Sequence, residues 1–378
     1  MIWLGSFYQE PIILDYEEDD LSIFFVIRNF FIQKFHSEKI IKGGNNMYKN
    51  LPKIELHCHL DGCLRVETVI ELLKEEGLNE EIKGFKEMKE RLVVPKTCPS
   101  LNVYLERFDL PLKVMQTKKN LERIAFELIE DVNKENVKYI EVRFAPLFHK
   151  EKGLRVDEII ASVLKGLKRG EEKYGVKSNL ILSLLRHMEE DTIYEVLDGG
   201  KEFIGKGVVA IDLAGGEELN FCKKFKRAFD YGRSLGYKVT IHAGETGHAI
   251  NVKEAIELLG AERIGHAVAI ENDSDIYNLV KENNIVLEMC PTSNVQTKAV
   301  TDYKKHPVKK FLEDSLLVNV STDNRTVSDI TLTEECEEIN KNHVLNLEDY
   351  KKIYLNSLKG AFCDEYTKEE LLKLASTI

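Results

Sequence analysis

The chain has 378 residues, 43% hydrophobic and 31% charged, with a formal charge of −11. That length holds a large buried core, and the acidic balance argues against a protein built to grip nucleic acid. Seven cysteines without a C-x-x-C pair fit reduced thiols better than a disulfide framework, and no apolar run approaches the ~20 residues of a bilayer span.

The first 46 residues differ from the rest. Residues 15–20 are acidic, and 21–35 are rich in Phe and Ile. A secretory signal wants a positive start, an apolar run and a small-residue cleavage site; MIWLGSFYQE opens without that order. Lys42-Gly43-Gly44 lies just ahead of Met47, and codons for Lys-Gly-Gly can read as a purine-rich ribosome-binding sequence. Met47 is therefore expected to be the true start, with residues 1–46 a translated leader and 47–378 a single domain. The alternative is an N-terminal arm packed on the body.

From Met47 onward, β-rich runs alternate with amphipathic helical stretches. Strands are expected at 53–60, 137–145, 179–186, 208–214, 237–242, 263–268, 284–289 and 316–321. Helices are expected at 120–135, 156–174, 221–235, 252–259 and 273–282, with further helix in the tail from 347 to 378. Such alternation implies parallel strands joined by right-handed crossovers. Eight units predict an α/β fold, a (β/α)8 TIM-type barrel whose site lies at the C-terminal ends of the strands. An open doubly wound sheet is the competing architecture. The first crossover is long enough for a helical insertion. Within it Leu101, Tyr104, Leu105 and Phe108 fall at i, i+3, i+4 and i+7, an apolar helix face that is either core or a lid over a pocket.

Chemistry-bearing residues gather where the strands end. His57 and His59 in KIELHCHLDG are i and i+2 on a strand, so both imidazoles leave on one side, as a metal-chelating pair must. By itself this H-x-H also fits chance alternation. Asp212, His242, Glu245, His266 and Asp323 end other strands. A lone strand-end Asp is usually a turn or cap residue, but a barrel would bring all of these into one ring.

The set ELHCHLDG (55–62), AIDLAGGE (210–217), HAGE (242–245), IGHA (264–267), CPTSN (290–294) and STDN (321–324) resembles the adenosine deaminase family of metal-dependent hydrolase barrels. The resemblance runs from Met47 to the end. It implies that His57, His59, His242 and Asp323 hold one Zn²⁺, which lowers the pKa of a water to about 7. It implies that His266 orients that water and takes its proton, with Asp323 sharing the task. Glu245 would protonate purine N1, which requires a raised carboxyl pKa. Gly215 would offer its backbone N–H to N3, Asp61 and His59 would meet the ribose 5′-hydroxyl, and the lid residues Leu101, Tyr104, Leu105 and Phe108 would set the pocket.

Asn324 departs from the best-known members, which carry a second Asp there, facing N7. An amide donates to N7 without needing an added proton. Asp61, where related adenine deaminases carry Glu, favours the nucleoside over the free base. The fourth strand has no lysine to bridge two metals, which favours one zinc. The implied activity is hydrolysis of adenosine, and of 2′-deoxyadenosine, to inosine and ammonia in purine salvage. It implies a cytoplasmic monomer acting on a small-molecule purine nucleoside, without nucleic acid or membrane. An adenine or other 6-aminopurine deaminase, or a non-catalytic purine-binding barrel, are the alternatives.

Other patterns carry less. The G-x-G-x-x-A at 205–210 precedes a strand, so it is no dinucleotide loop. His187-Met188-Glu189 lacks the P-C-x-x-C of the other zinc deaminases. His149, His248, His306 and His343 are read as surface or structural, Arg143 with Glu141 as an internal ion pair, and Cys58 as packing away from its flanking histidines.

Overall fold

All eight predicted strands form, within a few residues of their expected bounds. A computed structural model describes residues 47–95, 98–99 and 101–378; the expected leader, 1–46, lies outside the described residues. The strands are β1 Lys53–His59, β2 Val137–Phe144, β3 Lys177–Leu185, β4 Val208–Ala214, β5 Lys238–Ala243, β6 Arg263–His266, β7 Val286–Met289 and β8 Leu317–Val320. Each pairs in parallel with the next, in chain order. The ring closes just past β8: Asp323 N–H donates to His57 O at 2.9 Å, and His59 N–H donates to Asp323 O at 2.7 Å. This is the TIM-type barrel, not the open sheet.

Helices cover the outside because their apolar residues recur every three to four positions. In Val156–Tyr174 the buried stripe includes Val156, Ile159, Ile160, Val163 and Leu167, and the helix ends on left-handed Gly175. The expected helix over 252–259 starts earlier, at Ala249, and widens into a π turn over Ala255–Leu259. The first crossover holds helices Val66–Glu75, Phe85–Leu92, Leu101–Leu105 and Asp109–Val114 before the main crossover helix Lys118–Asn133. The tail folds as Leu347–Gly360 and Glu365–Leu374, and its Tyr354 and Leu358 pack on Ile54 and Leu56 of β1.

Alternation along β1 sorts its side chains. Ile54, Leu56 and Cys58 face helices and core, while Glu55 and His57 face the barrel interior. That interior is polar. Glu288 on β7 accepts from His57 Nδ1 at 2.8 Å, Arg143 Nη2 at 2.8 Å, Thr240 Oγ1 at 2.9 Å and Arg263 Nε at 2.6 Å, joining five strands through one carboxylate. Burial alone would raise its pKa; the two guanidinium groups and His57 hold it well below the usual range. The expected Arg143–Glu141 pair does not form. Arg143 lies between Glu288 and Asp212, whereas Glu141 pairs with Arg263 at 2.6 Å. Residues i and i+2 on a strand reach across the lumen to different partners.

Candidate active site

The closing bridge between β1 and the segment after β8 brings three expected ligands together. Nε2 of His57 and Nε2 of His59 each lie 3.4 Å from Asp323 Oδ1. His242, from the end of β5, places Nε2 3.2 Å from that of His59. A tetrahedron with metal–ligand bonds of about 2.1 Å has edges of roughly 3.4 Å, so these separations suit donors around one cation. His266 lies against the same group in place of His59: His57, His242, His266 and Asp323 each offer a donor atom within 4.8 Å of the others, close enough that the four could share a cation.

The surroundings prepare these atoms for a cation. His57 donates from Nδ1 to Glu288, and His242 from Nδ1 to Asp212 at 2.9 Å. In both rings Nε2 is therefore left as a bare lone pair aimed into the cluster. Nε2 of His57 is wholly buried without a hydrogen-bond partner, a costly state for a polar atom that a cation relieves. Three imidazoles and a carboxylate form a donor set suited to zinc. Ser293 Oγ donates to Asp323 Oδ2 at 2.6 Å and fixes the carboxylate's second oxygen.

Two of these side chains sit on left-handed backbone, His266 at φ 67° and Asp323 at φ 61°. Non-glycine residues hold that conformation at a cost of about 1–2 kcal/mol, and such strain concentrates at functional sites. His266 Nε2 lies 3.9 Å from Glu245 Oε2. Thr297 Oγ1 donates to the other oxygen of Glu245 at 3.0 Å.

A cavity of about 250 Å³ opens over this cluster, lined by His59, Asp61, Gly215, His242, Glu245, His266, Asp323 and Asn324, and by Leu101, Tyr104, Leu105 and Phe108 of the first crossover. His57 lies beneath it. Every residue singled out as a ligand, proton carrier or substrate contact is thus at one mouth. Oδ1 of Asp61 is buried without a partner, and burial pushes its carboxyl up to about 7. Gly215 has φ 93°, a conformation that glycine alone adopts readily. Asn324 Nδ2 donates to Tyr104 OH at 3.0 Å, and that hydroxyl also meets Ser328 Oγ at 2.8 Å. One amide hydrogen of Asn324 is thus engaged and the other remains.

Sequence reasoning missed several supports. Glu288 carried no local signal beyond a strand. Glu217 accepts from the backbone N–H groups of Gly244, Glu245 and Thr246 at 2.7–2.9 Å and from Asn251 Nδ2 at 2.8 Å, clamping the turn that carries Glu245. Arg186 stacks on Phe221 and donates to the carbonyls of Gly215, Leu213 and His242. His187, from the H-x-E triplet, lines the cavity and stacks on Phe148. His306 is buried and joined to His266 through Asn294. Cys58 packs as expected, its Sγ 3.4 Å from that of Cys63.

A (β/α)8 barrel with imidazoles and a carboxylate converging at its strand ends is the architecture of the metal-dependent hydrolases. Comparison with known proteins narrows it. The adenosine deaminase family profile matches residues 52–377. A Clostridium perfringens protein named adenosine deaminase is 60% identical over 322 residues, covering 85% of this chain and 97% of its own. One from Clostridium botulinum is 53% identical over 326 residues, 86% and 98% of the two chains. Among solved structures, adenine deaminase from Arthrobacter aurescens superposes with a TM-score of 0.80 at 26% identity, over 86% of this chain and 98% of that one. Arabidopsis ADAL complexed with IMP gives 0.79 at 25%, over 88% and 98%. An amidohydrolase from Burkholderia ambifaria with bound Zn gives 0.76 at 25%, over 87% and 93%. The chain belongs to the adenosine deaminase family, a family of enzymes, as its motifs implied.

Proposed function

We propose that the protein hydrolyses adenosine and 2′-deoxyadenosine to the corresponding inosines and ammonia, using one zinc ion held by His57, His59, His242 and Asp323. The observation that carries this reading is the convergence of those four donors beside Glu245, with His57 Nε2 buried and unpartnered. Bound there, zinc makes water a nucleophile at neutral pH.

The chain's own groups supply the rest. Glu245 delivers a proton to N1, so the C6–N1 π pair moves to nitrogen and C6 becomes electrophilic. Asp323 takes a proton from the attacking water as its oxygen bonds to C6. His266 holds that water on line. Asp323 then returns the proton to the departing amino group, the C6–N bond breaks, and the C6 hydroxyl proton restores Glu245. Gly215 N–H meets N3, and the free hydrogen of Asn324 meets N7.

Substrate choice follows from the lining. The unpartnered Oδ1 of Asp61 suits a ribose hydroxyl. Among the described lining residues there is no lysine or arginine, while Asp61 and Asp109 are acidic, so a nucleotide phosphate is disfavoured. Among the described residues no helix is long and apolar enough to cross a membrane. The same reading makes the protein a cytoplasmic monomer of purine salvage.

The test is a panel assay. Zinc-loaded protein is given adenosine, deoxyadenosine, adenine and AMP, and ammonia is measured. Release from the two nucleosides, lost on chelation and restored by zinc, is expected. Release from adenine but not adenosine would overturn the substrate, and turnover unaffected by chelation would overturn the metal.

A further inference from the structure

A file of three polar side chains runs from the site into the shell of helices. His266 Nδ1 is 2.9 Å from Asn294 Nδ2, and Asn294 Oδ1 is 3.1 Å from His306 Nε2. The file ends on a backbone group: Val308 N–H donates to His306 Nδ1 at 3.3 Å. His306 precedes the helix Val308–Glu313, whose first turn has spare N–H groups, and its ring caps one of them.

That last contact fixes the direction of every other. A backbone N–H can only donate, so Nδ1 of His306 carries no proton. The ring is buried, and burial lowers its pKa to about 3, so it is neutral and its one proton sits on Nε2. Nε2 then donates to Asn294, which must present its oxygen. The amide nitrogen is thereby turned to His266 and donates to Nδ1. A neutral imidazole accepting at Nδ1 carries its proton at Nε2, the atom that faces Glu245 and the cluster.

We propose that Asn294 and His306 are positioning residues that lock His266 in the Nε2–H tautomer, so that His266 meets the attacking water as a hydrogen-bond donor and not as its base. This rests on the reaction proposed above, in which Asp323 takes the water proton and His266 holds the water. The water proton goes to Asp323 alone. His266 donates into a lone pair of the water oxygen, which leaves the O–H bond free to point at Asp323, and the same N–H then stabilises the oxygen on C6.

The tautomer is read by nitrogen-15 NMR of the metal-loaded protein with labelled histidines, His266 being assigned by its loss in His266→Gln. A proton on Nε2 alone is expected; a proton on Nδ1, or on both nitrogens, overturns the proposal. Asn294→Asp offers only acceptors, so the His266 proton should move to Nδ1. We expect kcat to fall about 10–100-fold with KM nearly unchanged and metal content intact, the usual scale for losing a supporting contact. An unchanged kcat with the proton on Nδ1 overturns the proposal, because a base would keep or gain rate. His306→Gln preserves a donor to Asn294 and should keep kcat near wild type, whereas His306→Leu should not. Equal kcat in those two variants would also count against the relay. The NMR signal is read without substrate, so a failure to deaminate adenosine leaves it standing as a separate result.

Discussion

Glu288→Gln tests whether the barrel's polar interior organises the site. The carboxylate receives four donors, two of them from arginines that are fully buried. An amide of the same shape has one accepting oxygen, and its NH2 must face at least one of those donors. Breaking a buried charge pair costs about 3–5 kcal/mol. Arg143 keeps Asp212 at 3.4 Å and Arg263 keeps Glu141 at 2.6 Å, so the low end applies, about 3 kcal/mol. With an unfolding entropy of about 2.1 cal/mol/K per residue, 1 kcal/mol is worth about 1.3 °C in a chain of this length, so the metal-free Tm should fall by about 4 °C. His57 also loses the charged acceptor that fixes its tautomer, which should weaken zinc binding about 10–100-fold. Thermal melts of the metal-free protein and a competitive zinc titration measure the two effects. A metal-free Tm within about 1 °C of wild type with unchanged zinc affinity would refute the reasoning.

Glu217→Ala removes the clamp on the 244–246 turn; steady-state kinetics should show kcat down about tenfold or more, with zinc content unchanged, since outlying supports typically carry that much. Asn324→Asp should remain active on adenosine, because Tyr104 OH can donate to a carboxylate as readily as it accepts from the amide; an inactive variant with zinc still bound would count against the N7 contact. Gly62→Ala should lower Tm, since a Cβ there would sit 1.9 Å from Asn324 Oδ1, and relieving such overpacking costs about 1–3 kcal/mol. A Gly62→Ala melt matching wild type would show that Asn324 swings aside freely.

The barrel and the mouth were legible because their signals are local. Strand–helix alternation repeats along the chain, and His57 with His59 lie two residues apart, so period-2 geometry alone puts both imidazoles on one side. What escaped was set by contacts far apart in sequence. Glu288 looks like any residue of a buried strand, and its four partners come from four other strands. Arg143 and Glu141 are neighbours on paper, yet each finds a different partner across the lumen. The link from His306 to His266 is invisible along the chain, because nothing near His306 shows that helix Pro291–Gln296 will bring Asn294 between the two rings.

The seam where the barrel shuts is also the place where Asp323 meets the two histidines of β1. The first of these groups to be synthesised must therefore wait for nearly the whole polypeptide to emerge before its partner arrives. A chain cut short before Asp323 would forfeit the ring and this cluster of donors in one stroke, so the mouth cannot assemble until most of the polypeptide has been made.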